Sequence, residues 1–531
     1  MKRLSLLSKC CTLISIVVAP ACYGMGDYNW EKLNKEAFEY SMIPVALPQR
    51  DGMPYWNMHA KQFMMPPAFD IAEVPGAASY LFTLQASQNK TTIEMESDSP
   101  KTPLTAIWDK VPVGNIKLTV KALNAEKEVI EEIFCRNFYR CSWFKGPYPA
   151  ISHDYKGAAI KALENMYNLP HVQAWLNGGS VDDKVYRKYC YPSKTLSAII
   201  NGLLLYSELA DLPEVSEKSL IISRKMADWL IENSCPAGTP LEFLPPTYWK
   251  HATYELATPH IGQIMMIYPS EVGTAYLHVY KHSRDKKYLD AAVRIAETMK
   301  KLERPDGSWY LKHNEQDGKP TVENVVLINH YMIAFFHELS IVTGDSSYKE
   351  MSDRAYKRLI DHNLKLWNWD GQFEDVVPKE MYQNLTKHQA VCVAADFFRS
   401  GDIKTAEMLV AWVEDQFVVW DEPAPGVDLE NTPSWRSCAE VVTPMVLEQY
   451  NCYWPVNASL AAVIDMWLTA YHYTGKELYL AKAMTLADSL LRNQRPDGSI
   501  PTWFFTTNLP DWLNCTVRTA KTLLNISNTV K

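Results

Sequence analysis

Apolar positions change their spacing once along the chain, near residue 145. Between about 66 and 142 they alternate with polar ones, most clearly in the runs 79–84, 91–95 and 116–122. Pro75 and Gly76, Pro100 and Pro103, and Pro112 and Gly114 break the runs apart. Period-two runs between such breakers predict short strands, here a small all-β sandwich with Trp108 in its core. From about residue 150 the spacing becomes helical and stays so. Segments 154–168, 216–233, 285–302, 346–366, 402–418 and 476–493 each carry one charged face. Segments 195–209, 272–282, 325–341, 388–399, 457–473 and 515–525 are apolar nearly all round. A helix with one apolar stripe lies on a surface and one apolar on all sides is enclosed, so the two sets predict an outer and an inner ring.

A sequence repeat supports the same division. Arg304-Pro305-Asp306-Gly307-Ser308 recurs 191 residues later as Arg495-Pro496-Asp497-Gly498-Ser499, with Asp370-Gly371 between them. Helix starts recur too, at Asp285 to Tyr288, Thr343 to Tyr348 and Thr474 to Tyr479. The offsets fit a unit of about 64 residues, each holding a helix, a tight turn, a second helix and a longer loop. Six such units fill residues 150–531.

These turns and six double-helical units resemble the (α/α)6 toroid, or six-hairpin, glycosidase superfamily, over roughly residues 150–531. The preceding β-rich stretch resembles a fibronectin type III or immunoglobulin-like module. The resulting expectation is a mainly α protein: a signal peptide at 1–21, a linker and β-sandwich at 22–145, and an (α/α)6 toroid at 146–531. The resemblance implies a carbohydrate-active enzyme whose cleft lies where the long loops enter the inner helices. A sandwich ahead of the toroid leans toward hydrolases, since toroid lyases of the heparinase and chondroitinase type usually carry theirs behind it. The Asp-rich nucleophile motif of cellulase-type members is absent.

Composition narrows the partners. Over 531 residues, 47% hydrophobic and 21% charged, the chain is neither disordered nor fibrous. A net charge of −8 offers no field for a phosphate backbone, which argues against nucleic acid. Aromatics are 12%, with 17 Trp and 29 Tyr, and flat apolar rings in polar clefts suit sugars. Eleven cysteines, without a Cys-x-x-Cys pair or a His/Cys cluster of zinc spacing, read mostly as free thiols, and no nucleotide, flavin or metal motif appears. No cofactor is expected. Lys2, Arg3 and Lys9, the apolar run 10–18 and Ala19-Pro20-Ala21 form the pattern of an export signal, with Cys22 placed for lipid attachment. No later window is apolar enough to span a bilayer, and a monomer without an integral membrane span is expected.

Candidate chemistry collects just ahead of the inner helices. Four carboxylates lead: Glu448 and Asp375, set among aromatics and amides, then Glu271 and Glu374. Around them Tyr248, Trp249, His251, His260, Tyr382, Asn384, His388, Tyr453, Trp454, Asn457, Trp503 and Trp512 would hold the sugar. In a glycoside hydrolase one protonated carboxyl donates to the leaving oxygen while an ionised one activates water or attacks, here on a uronic-acid-containing or similarly decorated glycan. In a lyase or uronate epimerase, Tyr248, His251, Tyr382 or His388 would take the proton next to a carboxylate. A binding protein that has lost catalysis would keep only the stacking rings. Plainer roles stand beside these. Glu271 fits a helix cap, His278 and His330 fit a core, and Tyr139-Arg140 fits an interface anchor. Amide exchange at Glu448 or Asp375 is expected to remove turnover with little effect on folding.

Overall fold

The computed structural model describes residues 28–46, 55–56, 60–88, 90–149, 151, 153–322, 326–327, 329–369, 386–421, 443–448, 455–504 and 509–530. Glu374, Asp375, Tyr382, Asn384, Tyr453, Trp454 and the export signal lie outside them.

The first described element is a helix, α1 (Trp30–Ser41), capped by the Asn29 side chain. Strands β1 (Tyr55–Trp56), β2 (Gln62–Phe63), β3 (Ala68–Phe69), β4 (Ser79–Ala86), β5 (Thr92–Ser97), β6 (Gly114–Leu123) and β7 (Val129–Arg140) follow. Five of them form one sheet in the order β2-β7-β6-β4-β5, with β2 parallel to β7 and the other neighbours antiparallel. Tyr80, Phe82 and Leu84 of β4, and Ile116, Leu118, Val120 and Ala122 of β6, point to one buried face, while Gln85 and Lys117 stand on the wet one. The second layer is not a sheet. A 3-10 turn at Leu104–Lys110 and the segment 60–71 cover the apolar face, with Trp108 stacked on Phe138 and bonded through Nε1 to the Met64 carbonyl at 2.9 Å. The expected sandwich is therefore, among the described residues, a single sheet with one face covered. Both faces of β5 stay at least partly open, so it ends the sheet as an edge and offers no apolar face for a second one.

The helical part follows the predicted segments closely. After α2 (Tyr155–Asn168) and the short α3 (Pro170–Gln173) come α4 (Pro192–Leu209), α5 (Pro213–Glu232), α6 (Ile267–Ser283), α7 (Lys286–Leu302), α8 (His330–Thr343) and α9 (Ser346–Leu359). Then follow α10 (His388–Ser400), α11 (Ile403–Phe417), α12 (Asn457–Thr474), α13 (Glu477–Asn493) and α14 (Leu513–Thr529). Among the described residues five hairpins form, α4 with α5 through α12 with α13, and the last helix closes on the first long one, α14 on α2, as the sixth pair. Neighbouring inner helices pack around the ring, and α8 meets α10 through His330 and Asp396.

The repeated turns have a physical reason. Gly344, Gly401 and Gly475 end inner helices with φ of 75°, 85° and 67°, the left-handed geometry that a Cβ disfavours. Asp345 or Asp402 then caps the next helix by accepting from a backbone N–H two or three residues on. The Arg-Pro-Asp-Gly-Ser turns close the other ends, with Ser308 and Ser499 backbone N–H groups donating to Asp306 and Asp497.

The N-terminal part docks on the outer ring and buries it there. Helix α1 lies on α13, where Tyr28 donates to Met484 Sδ at 3.2 Å and Lys32 pairs with Glu477. At the sheet, Asp415 accepts from the backbone N–H groups of Met64 and Met65 at 2.7 and 2.6 Å. Arg140 is buried with its guanidinium 4.5 Å from the Trp108 ring centre, so it is an interface anchor and does not reach a substrate. Glu414 and Lys482 form a fully buried ion pair of 2.6 Å beneath Trp420. This docking explains why α11 and α13 bury more than one face, which an amphipathic pattern alone does not predict.

Candidate active site

Inner helices α4, α6, α8, α10 and α12 each leave through a turn of two or three residues, and all six inner helices receive their N-termini from a long loop. Antiparallel hairpins of that kind place all six inner N-termini at one mouth. Their aligned dipoles favour negative charge there.

The most developed cluster runs down α10. His388, Cys392 and Asp396 are spaced one turn apart and share one face, each step about 6 Å deeper. At the top, His388 Nε2 lies 2.8 Å from Glu448 Oε1. Behind them Lys387, whose side chain is 0% exposed, donates to the Glu448 carbonyl at 2.8 Å and to Ser459 Oγ at 2.6 Å and stands 3.5 Å from Glu448 Oε2. Ser459 also donates to that oxygen. Burial opposes ionisation of Glu448, but Lys387, His388 and Ser459 outweigh it and hold the carboxyl well below its ordinary range. Burial, with Lys387 and Arg518, pulls His388 below its ordinary range in spite of Glu448. The result is a neutral imidazole against a carboxylate. An ionised carboxylate can only accept, so Nε2 donates to it and Nδ1 keeps a basic lone pair. The ring is 36% exposed, enough to meet a substrate.

His330, at the start of α8 with its backbone N–H on Gln389 Oε1 at 2.7 Å, reaches Asp396 Oδ2 at 3.0 Å. Beside it Tyr331 accepts a 2.5 Å bond from Arg518 of α14, on the opposite side of the ring. Tyr331 is 41% exposed, yet burial, helped by Cys392 and Glu271, overrides the pull of Arg518 and raises its phenol. The Tyr331–Arg518 bond thus links α8 to α14 across the mouth. Arg518 is held protonated by Tyr331 against the effect of burial, with Cys392 and Asp465 adding to it.

A third wall is aromatic and cationic. Trp512, just before α14, stacks on Tyr191, just before α4, at 5.5 Å and 28°. Two ammonium groups face it, Lys188 Nζ at 4.0 Å and Lys194 Nζ at 3.9 Å from the ring centre. Lys194, Glu448 and Asp511 all act on the thiol of Cys515, which ties this wall to the His388–Glu448 pair.

The predicted residues divide. Glu448, His388, Trp512 and Glu271 come to the mouth, and Glu271, half-buried on α6, acts on Tyr331 and does not cap its helix. Trp503 stands half-buried, bridged through its backbone to Val456 ahead of α12. Tyr248 and His260 are buried against each other at 5.2 Å, and Asn457, fully buried, donates to the Pro501 carbonyl at 2.6 Å, so these three build the wall from behind. Trp249 leans on Trp229 of the outer helix α5, with the exposed His251 against it, and neither joins the cluster. Lys387, Ser459, Tyr331, Cys392, Asp396 and Arg518 escaped the sequence reading, and His330, expected as a core residue, pairs with Asp396. A signal for two of these was present: Cys392 and Asp396 stand at i+4 and i+8 from His388 on one face of an otherwise apolar helix. Arg518, brought from another repeat, had none. Among the described residues no group of three His, Cys, Asp or Glu is arranged to hold a metal ion.

No family model matches the chain, and no curated protein matches its sequence. Solved structures of carbohydrate-processing enzymes resemble it in fold. A family 76 glycoside hydrolase from a bovine Bacteroides thetaiotaomicron strain aligns with 10% identity and a TM-score of 0.44, covering 85% of this chain and 93% of its own. The α-1,6-mannanase GH76A of Salegentibacter sp. HEL1_6 aligns with 11% identity and a TM-score of 0.42, covering 71% and 100%. A D-mannose isomerase gives 12% identity and a TM-score of 0.48, covering 72% and 100%. Likenesses this distant decide nothing about the reaction, which has to be argued from the site.

Proposed function

We propose that this chain is a carbohydrate-processing enzyme in which His388, oriented by Glu448, removes a proton from a sugar carbon next to a carboxylate or carbonyl. The observation that carries the reading is the 2.8 Å His388–Glu448 contact, with the imidazole neutral and partly open. The C–H electron pair would move toward the adjacent carbonyl carbon, and the oxygen that gains charge would be met by the fixed cation of Arg518 with the Tyr331 hydroxyl beside it. Loss of a β-oxygen then gives an unsaturated sugar, as in a lyase; return of a proton to the other face gives an epimer. An acidic sugar is favoured by Lys188 and Lys194, two positive charges held over the Trp512 ring at the same mouth.

Hydrolysis is the second reading, favoured by Glu271 at the same mouth. It requires a proton donor other than Glu448, since Lys387 and Ser459 hold that carboxyl ionised and engage Oε2. Glu271, Glu374 or Asp375 would take that role.

A glycan panel incubated in heavy water separates the readings. Near-ultraviolet absorbance of an unsaturated product marks a lyase, deuterium in an otherwise intact sugar marks an epimerase, and reducing ends with neither mark a hydrolase. Turnover of either of the first two kinds that survives His388→Gln would refute the assignment. We also propose that the chain is exported as a monomer after removal of residues 1–21 and divides near residue 145; N-terminal sequencing of protein from its native compartment, light scattering and limited proteolysis test these points.

A further inference from the structure

We propose that the lumen of the ring opens at both ends, and that below the Tyr331–Arg518 bond it carries a file of water to a rear port beside His278. The rear is the end where the tight turns lie. Inner helices α4, α6, α8 and α10 each carry a stripe spaced i, i+3 or i+4, and i+7 or i+8, which keeps to one helix face. At the mouth the stripes begin with Lys194, Glu271, Tyr331 and His388. One turn in stand Ala198, Thr274, Ala334 and Cys392, all short and all at least partly open. Ala334 is exposed in the middle of a helix enclosed by its neighbours, so it borders a space inside the ring. Two turns in, about 10 Å below the first level, stand Asn201, His278, Glu338 and Asp396, again partly open. The stripes end at exposed Glu208, Lys281, Ile341 and Arg399. Openness at every turn of four neighbouring helices describes one continuous space.

Hydrogen bonds set what can pass along it. Helices α8 and α14 lie three places apart in a ring of six, so the Tyr331–Arg518 bond crosses the lumen. A sugar cannot pass a direct 2.5 Å contact that spans the ring, whereas water fits beside it. Below that level the bonds join neighbouring helices. His278 Nδ1 lies 2.8 Å from Asn201 Oδ1, and Lys281 donates to Glu338 at 2.5 Å. Asp465 of α12 accepts from Thr522 and Asn525 of α14 at 2.7 and 3.0 Å. These bonds run around the wall, not across the axis. Their polar atoms supply the several partners that each enclosed water needs. An amide oxygen only accepts, so Nδ1 of His278 carries a hydrogen and Nε2 is the atom that takes up and releases a proton at the port. A use for the port rests on the His388 reading. With a sugar filling the mouth, His388 holds the abstracted proton on Nδ1. It passes to the nearest water, each water hands one on, and one proton leaves at the rear. The neutral imidazole is restored and no other reactant is consumed.

A crystal structure of the full chain, fine enough to place water, tests the port whatever the reaction. Waters each within about 3 Å of the next should link Arg518 to His278 and continue to the rear surface. A dry or sealed stretch overturns the proposal. Turnover in heavy water tests the route. Ala334→Phe, which puts a ring into the lumen, should lower deuterium uptake per turnover severalfold, or kcat for a lyase, with KM unchanged; Ala334→Leu should do so less. Both are checked for folding by circular dichroism. Unchanged values in a Phe variant whose crystal structure shows the lumen filled overturn the route. Wild-type turnover that yields neither deuterated sugar nor an unsaturated product refutes the His388 reading instead, and the port then stands or falls on the water file.

Discussion

Replacing Glu448 by glutamine tests the centre of the site, and the structure reverses what the sequence alone leads one to expect. The change is nearly isosteric, which argues for intact folding. Lys387 argues otherwise. Its ammonium is wholly buried, and two of its other acceptors, the Glu448 carbonyl and Ser459 Oγ, are neutral. Removing one member of a buried pair costs about 3–5 kcal/mol, and because glutamine leaves an acceptor in place the lower end, about 3 kcal/mol, applies. That is roughly a hundredfold in the folding equilibrium. Turnover should fall by about 10²–10⁴, since His388 loses the group that fixes its tautomer and orientation. Urea unfolding followed by tryptophan fluorescence reads the first effect, and product formation reads the second. The double variant Lys387→Met/Glu448→Leu separates them: replacing both charges should recover most of the stability and none of the activity. An E448Q protein with wild-type midpoint and wild-type rate would refute both the buried pair and the dyad.

Other consequences are open to measurement. Exchanging Glu414 for glutamine should destabilise the packing of α11 against α13 by about 3 kcal/mol by stranding Lys482, and adding Lys482→Met should return much of it; simple additivity in a double-mutant cycle would contradict a coupled pair. Burial pushes Asp415 up to about 7, above an unfolded value near 4. Its contribution to stability is therefore complete in acid and lost as pH rises from about 4 through 7. Asp415→Asn should flatten that decline in urea midpoints between pH 5 and 8, and an unchanged slope would show that the group is ionised throughout. Gly498 sits at φ 86°, where a Cβ would come 2.8 Å from the Lys161 carbonyl oxygen. Gly498→Ala should accordingly cost about 1–3 kcal/mol, and a neutral result in thermal melts would mean that the turn readily relaxes.

Much of the ring could be read from local chemistry. Apolar spacing distinguishes a helix touched on one side from one enclosed on all sides. Thr343-Gly344-Asp345 holds both the left-handed stop of one helix and the cap of the next within three residues. Such signals act over one or two turns, so the chain itself carries them. The second layer over the sheet was not legible, because segment 60–71 and the turn around Trp108 have no regular period. Nor were the extra buried faces of α11 and α13, since the residues that cover them lie hundreds of positions earlier.

The site divides along the same line. His388 and Glu448 could be singled out from their surroundings, and the one-face spacing of His388, Cys392 and Asp396 was there to be seen on α10. What each does depended on residues from other repeats. Lys387 and Ser459 keep Glu448 ionised, which turns a candidate acid into the partner of a histidine. Arg518 reaches across the ring to Tyr331, 187 residues away in sequence. Packing Tyr248 and His260 against each other withdrew both into the wall. Residue type and spacing decided which groups could do chemistry at the mouth. Burial and distant charges, which exist only once the ring has closed, decided their protonation states and so their roles.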